Sequence, residues 1–126
     1  MKTVITLLAV IFLANAATFG QQQFNETQEE QIERISKSKF QEKIATGEYI
    51  LLDVRTVEEY MQGHLEGAKS LNFLDESFDN TIASLNKNYK YLIYCQSGVR
   101  SANALQKMKD AGFIHVLELE GGYSNW

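Results

Sequence analysis

Two apolar runs, YILLDV at 49–54 with Asp53 its one polar residue and YLIYC at 91–95, constrain this chain more than any other feature. A strand with one wet face alternates apolar and polar residues, whereas an unbroken run marks a strand covered on both faces. Around these runs lie segments of helical period. SKSKFQEKIATG sets Phe40 and Ile44 on one face, with Ser36 or Ser38 as N-cap and Gly47 beyond its end. Thr56 caps VEEYMQG, with Glu58 and Glu59 in the favourable first turn. DESFDNTIASLN places Phe78, Ile82 and Leu85 together. A further helix from about Arg100 to Ala111 has Ala104, Leu105, Met108 and Ala111 as its stripe and Gly112 at a left-handed cap. Shorter strands are expected at IERI, at Lys69 to Leu71 and at HVLEL. Strands alternating with helices imply parallel pairing with crossovers. The expected fold is a three-layer α/β domain, its central sheet of about five mostly parallel strands flanked by helices on both faces.

The 126 residues suffice for one domain, and an apolar share of 44% supplies its core. A net charge of −4 without any block of Lys or Arg argues against a nucleic-acid stripe or a polybasic membrane patch. Proline is absent, so turns fall to Gly, Asn, Asp and Ser. Residues 1–20 read as a signal peptide: Lys2, an apolar stretch from Val4 to Leu13, and Ala14 and Ala16 in the A-x-A arrangement of a cleavage site. Cleavage after Ala16 or after Gly20 fits. The apolar stretch is shorter than the ~20 residues of a spanning helix, which leaves a membrane anchor as the lesser alternative. No cysteine lies near either point, which excludes a lipoprotein anchor. The expected location is outside the cytoplasm, a bacterial periplasm foremost. Residues 21–31, rich in Gln and Glu, read as a flexible spacer, and the domain is expected over 32–126.

Cys95 is the one cysteine, which rules out an internal disulfide and a thiolate cluster for zinc. It stands as the last residue of a buried strand, before the loop QSGV and a helix. Ligand sites in such folds lie beyond the carboxyl ends of the strands. A loop entering a helix converges backbone N–H groups, and the helix N-terminus adds about half a positive charge. A thiolate at that point is stabilised and becomes nucleophilic at neutral pH. Ser97 and Gly98 are small enough for the backbone to close on a guest, and Gly98 can take a positive φ. Arg100 in the first helical turn opposes the macrodipole at a cost of ~0.3 to 1 kcal/mol. An anion held by the loop would account for it, since a guanidinium donates two hydrogen bonds.

Four motifs, LLDVRTVEEY, GHLEGA, YCQSGVRS and GGYSNW, follow one another in order. With them the chain from about Ile32 to Trp126 resembles a rhodanese domain. The resemblance implies a sulfurtransferase that needs no cofactor and no metal. Cys95 would take a sulfane sulfur from a small donor such as thiosulfate, hold it as a persulfide, and pass it to a thiol, to cyanide or to a protein acceptor. The backbone amides of Gln96, Ser97, Gly98, Val99 and Arg100 would hold the outer sulfur, with Arg100 assisting an anionic donor. A carrier or sensing module without turnover is the alternative. A phosphatase of the same fold is disfavoured, because the six residues from Cys95 to Arg100 are one fewer than the cell-cycle phosphatase domain uses. Asp53 and Arg55 are expected to brace loops, Arg55 pairing with Glu58 or Glu59, with substrate contact the second role for Arg55. His64 and Ser101 are expected to support the site, and His115 to pack. Neither histidine has a partner at metal-ligand spacing. Tyr123 and Trp126 are expected to close the domain near the loop. Glu66 stands where the family's turn usually has Pro, and Tyr123 where Trp is commoner.

Overall fold

The apolar runs become the middle of a five-stranded sheet. In the computed structural model, which describes residues 29–126, the chain runs β1 (Gln31–Ile35), α1 (Lys37–Ala45), β2 (Ile50–Asp53), α2 (Val57–Gln62), β3 (Lys69–Ser70), α3 (Phe78–Ser84), β4 (Tyr91–Tyr94), α4 (Val99–Asp110) and β5 (His115–Leu119). A single 3-10 turn, Tyr123–Asn125, follows. The sheet order is β1-β5-β4-β2-β3, and all of its pairings are parallel. The expected signal peptide and residues 21–28 of the expected spacer lie outside the described residues; β1 begins at Gln31, the last residue assigned to that spacer.

The side-chain period of two explains the three layers. Leu52, Ile93 and Val116 pack on one face with Phe78 and Ile82 of α3 and Ala104 and Met108 of α4. Leu51, Leu92 and Leu117 pack on the other with Phe40 of α1, Tyr60 of α2 and Leu65 of the turn that follows α2. All four residues of β4 are buried, as the run YLIY requires of a strand with helices above and below. Of the stripe expected on α4, Ala104 and Met108 are buried, while Leu105 and Ala111 lie half-buried at its margin.

Local signals set the helix ends. The Ser36 side chain accepts from the Lys39 N–H and starts α1, while Thr56 and Glu59 form a capping box on α2. The helix after Cys95 starts at Val99, one residue before the sequence-based bound.

Chain order reverses direction between β2 and β4: β2 leads outward to β3 on one side, and β4 to β5 on the other. The connections leaving them diverge and open a crevice at their carboxyl ends. Asp53 ends β2 and Cys95 follows β4, so both stand at this crevice.

Ile93 is fully buried in the central strand β4. Ile93→Ala is expected to cost about 2–5 kcal/mol of stability through lost burial and a cavity, read as a fall in the urea midpoint at unchanged slope.

Candidate active site

β4 ends at Tyr94 and α4 begins at Val99, so Cys95 to Gly98 make the passage from strand to helix. The pairing ladder releases the chain one residue before Cys95, rather than at it as the sequence suggests. Gly98 takes φ 101° and ψ −2°, a left-handed conformation that turns its N–H back onto the Cys95 Sγ at 3.1 Å. Cys95 is only 1% exposed and belongs to the apolar cluster of Leu52, Val54 and Ile93, while the Gly98 N–H reaches its sulfur. Burial pushes the thiol up. The Ser101 hydroxyl and the backbone N–H groups of Ser101, Gly98 and Ser97 outweigh burial and hold Cys95 below the ordinary thiol value.

The loop is held from outside by its carbonyls. Tyr123 N–H donates to Cys95 O at 2.8 Å and Ser124 N–H to Gln96 O at 3.0 Å. These contacts require Gly122, where a Cβ would fall 2.6 Å from the carbonyl oxygens of both Cys95 and Gln96. Arg34 Nη2 donates to Gly98 O at 2.7 Å.

All three arginines of the chain, Arg34, Arg55 and Arg100, surround this loop, and each is paired with a carboxylate. Arg55 is 3% exposed and pairs with the fully buried Asp53, its Nε at 3.0 Å and Nη2 at 2.7 Å from the carboxylate. It also donates to Gly63 O at 2.6 Å and to Gln96 Oε1 at 3.1 Å, while Tyr123 covers its guanidinium at 4.3 Å. The Tyr94 hydroxyl gives Asp53 a further donor at 2.7 Å. The pairing of Arg55 with Glu58 or Glu59 expected from sequence is therefore corrected: a fully buried carboxylate at the end of β2 claims the nearest cation.

Glu59 instead takes Arg100, whose Nη1 and Nη2 donate fork-to-fork at 2.6 and 3.0 Å. The Arg100 hydrogen bonds hold the Glu59 carboxyl down at about 2, against burial and with help from Thr56. A cation in the first turn of α4 is thus balanced by a carboxylate from α2. Arg34 pairs with Glu118, its Nε at 2.6 Å and Nη2 at 3.1 Å, and Glu118 is wholly buried.

The other expected residues are distributed around this centre. Gln96 and Arg55 line a cleft of about 390 Å³ with Glu59, Gln62, Gly63 and Tyr123. Ser97 is exposed and contributes its backbone, and the Val99 side chain is 67% exposed. Ser101 is buried with its Oγ 3.3 Å from the Cys95 Sγ. His64 stacks on Tyr60 at 3.8 Å and bonds through Nδ1 to the Tyr60 carbonyl, away from the sulfur. His115 opens β5, at the end of the sheet opposite Cys95, and pairs with the Tyr49 hydroxyl. Trp126 packs edge-on against Phe40 while 40% exposed.

A family profile for the rhodanese-like domain matches residues 36–126. The chain belongs to the rhodanese-like domain family. Over 96 residues it is 33% identical to the putative sulfur carrier protein YrkF of Bacillus subtilis, covering 75% of this chain and 51% of that protein. Over 76 residues it is 32% identical to thiosulfate sulfurtransferase GlpE of Shewanella oneidensis, covering 60% and 73%. The chain thus spans about half the length of the first relative and nearly three quarters of the second. A crystal structure of a rhodanese-like domain protein from Staphylococcus aureus matches with TM-score 0.66 and 30% identity over 75% of this chain and 90% of that one.

Arg34, Glu118 and Gly122 of this rhodanese-like domain were not singled out by the sequence. A signal was present for two of them. Glu118 interrupts the otherwise apolar run of HVLEL and Arg34 falls within IERI, and a charge inside a covered strand needs a partner. The parallel register sets Arg34 directly beside Glu118.

Two outcomes test this geometry. Gly122→Ala is expected to destabilise the domain by at least about 1–2 kcal/mol, because neither its φ of 67° nor the carbonyls at 2.6 Å admit a Cβ, and to slow alkylation of Cys95. Glu59, depressed from 4.5 to about 2 in the fold, adds stability that is fully present above 4.5 and lost as pH falls through about 2. Glu59→Gln is expected to be the less stable protein at pH 7, with the gap closing across that window in acid titrations followed by circular dichroism.

Proposed function

We propose that this rhodanese-like domain is an exported sulfurtransferase that moves a sulfane sulfur from a donor such as thiosulfate to a thiol or cyanide through a Cys95 persulfide. The observation that carries the reading is the Gly98 N–H set on the Cys95 sulfur at 3.1 Å, at the head of a twelve-residue helix. In the first half-reaction the Cys95 thiolate attacks the outer sulfur of the donor. A new S–S bond forms, the donor's S–S bond breaks, and sulfite leaves with the electron pair. The persulfide's outer sulfur then carries the negative charge, and the amides of the 96–100 segment are the groups proposed to hold it. In the second half-reaction the acceptor attacks that sulfur and Cys95 departs as thiolate. Thiosulfate sulfurtransferase GlpE among the relatives supports the transfer reading. Export rests on residues 1–20 alone, whose pattern is that of a cleaved leader.

One observation favours the second reading, a sulfur carrier that receives its sulfur from a protein. Among the described residues Arg55 is the only cation lining the cleft beside Gln96, and its guanidinium is already shared by Asp53, Gly63 and Gln96. Arg100 is likewise committed to Glu59. A dianionic donor would meet few free charges there, and the putative carrier YrkF among the relatives fits this picture.

Intact-mass spectra before and after thiosulfate separate the outcomes. One sulfur atom added to the native protein but not to Cys95→Ser, with thiocyanate formed from cyanide over many turnovers, is the expected result. Loading from a persulfide donor but not from thiosulfate, without turnover on small acceptors, would establish the carrier instead. No added sulfur from thiosulfate or from a persulfide donor would end both readings.

A further inference from the structure

The Ser101 hydroxyl stands between two acids. Its Oγ is 3.3 Å from the Cys95 sulfur, positioned to accept from the thiol, and it donates to Glu118 Oε2 at 2.5 Å. A hydroxyl has one proton. While that proton is given to the Glu118 carboxylate, Ser101 offers only lone pairs to sulfur, which suits a thiol and opposes a thiolate. The lowering of the thiol that the hydroxyl supplies therefore requires the opposite polarity, in which Ser101 donates to sulfur and Glu118 no longer takes its proton.

We propose that Cys95 and Glu118 share a single proton through Ser101, and that this transfer is what arms the sulfur. The S–H proton passes to Ser101 Oγ as the Ser101 proton passes to Glu118. The chain S–H···O–H···carboxylate becomes thiolate···H–O···H–O carboxyl, with no charge created or lost. When the persulfide is discharged and Cys95 leaves as thiolate, the same proton returns by the reverse path. The inference deepens the Cys95 chemistry proposed above and rests on it. Ser101 touches the sulfur, whereas Glu118 acts through Ser101 and is a positioning residue, as is Arg34, which holds Glu118.

The surroundings fit a proton that stays inside. Sulfur and carboxylate are both buried, at 1% and 0% exposure, so the short internal path is available where solvent is not. Arg34, at the edge strand β1, holds the outer side of the carboxylate and also the Gly98 carbonyl, so one side chain ties the base to the loop that carries the sulfur's amide donor. The charges facing the pair are Arg34 from β1, with Glu120 beyond β5 acting on it, and Arg100 from α4, itself held by Glu59 of α2 with Arg55 behind. Both cations are already paired with carboxylates, so no unpaired charge in this set removes the proton from sulfur.

The pH profile of Cys95 alkylation by iodoacetamide tests the proposal without needing any sulfur transfer. In Glu118→Gln the amide can donate to Ser101 and accept from Arg34, which holds the chain in its armed polarity. The profile is expected to move down by about one pH unit, with alkylation below the midpoint about tenfold faster than in the native protein. Ser101→Ala is expected to move the profile up and to erase most of the effect of Glu118→Gln in the double variant, while Ser101→Thr keeps the native profile. Loss of the Glu118 charge alone would also lower the profile, but equally with and without the Ser101 hydroxyl, whereas a loosened loop loses amide donors and moves the profile up. An unchanged or raised profile in Glu118→Gln, or the same shift with and without the Ser101 hydroxyl, would overturn the proposal. Should Glu118→Gln fail to fold, a native profile in Ser101→Ala would overturn it equally. Thiosulfate loading by intact mass on the same samples reports separately on Cys95 as sulfur acceptor, so the two readings fail independently.

Discussion

Three carbonyls facing away from the sulfur determine the active loop. Cys95 O and Gln96 O are taken by the backbone of Tyr123 and Ser124, and Gly98 O by Arg34. In a planar trans peptide the next residue's N–H points opposite the carbonyl. Fixing the Gln96 oxygen on Ser124 therefore directs the Ser97 N–H to the other side, where it acts on Cys95 with the N–H groups of Gly98 and Ser101. Gly98 completes the set by its left-handed φ, which aims its own N–H at Cys95. Orientation of the donors is thus secured by groups that never meet the sulfur, and the close approach of residues 122–124 depends on a missing Cβ at Gly122.

The three arginine–carboxylate pairs extend the same logic to the surrounding elements. Arg34–Glu118 joins β1 to β5, Arg55–Asp53 joins the end of β2 to the Gly63 turn and to Gln96, and Arg100–Glu59 joins α4 to α2. Two of the carboxylates, Asp53 and Glu118, are fully buried. Pairs of this kind contribute little net stability, because desolvation offsets their attraction, but removing one partner leaves an uncompensated charge. Their effect is geometric: each element that borders the crevice is tied to another, and planar forks fix direction as well as distance.

Much of this was legible in the sequence, for reasons that are local. Unbroken apolar runs read as strands covered on both faces because burial leaves no polar position, and YLIY is buried throughout. The Thr56 and Glu59 box and the glycines past α1 and α4 read correctly because caps depend on a few neighbouring residues. The placing of Cys95 at the passage from strand to helix followed from the same two signals, although the strand ends one residue earlier, at Tyr94. What escaped was the choice of partner. Arg55 had three acids within six residues, and period alone does not say that Asp53 turns inward while Glu59 faces α4. Arg100 was understood as a cation awaiting a ligand because its carboxylate lies forty-one residues away in sequence. Glu118 was read as one position of an apolar strand. A lone buried acid on β5 implies a cation on the neighbouring strand, but naming Arg34 needs the β1–β5 adjacency, which crossover order does not fix.

The sulfur's surroundings reconcile two demands that would conflict in water. A protonated thiol is nearly apolar and packs beside Leu52, Val54 and Ile93 at little cost, which stabilises the resting domain. A thiolate or persulfide anion in the same place must be solvated, and few waters can reach a site this enclosed. The amides do that work instead. They are fixed before the charge appears, so none must reorient when it does, and the low local dielectric that makes burial costly also strengthens each N–H···S contact. An apolar wall and a ring of fixed dipoles therefore act together: the wall keeps the sulfur from being quenched by solvent, and the dipoles keep it ionisable despite the wall.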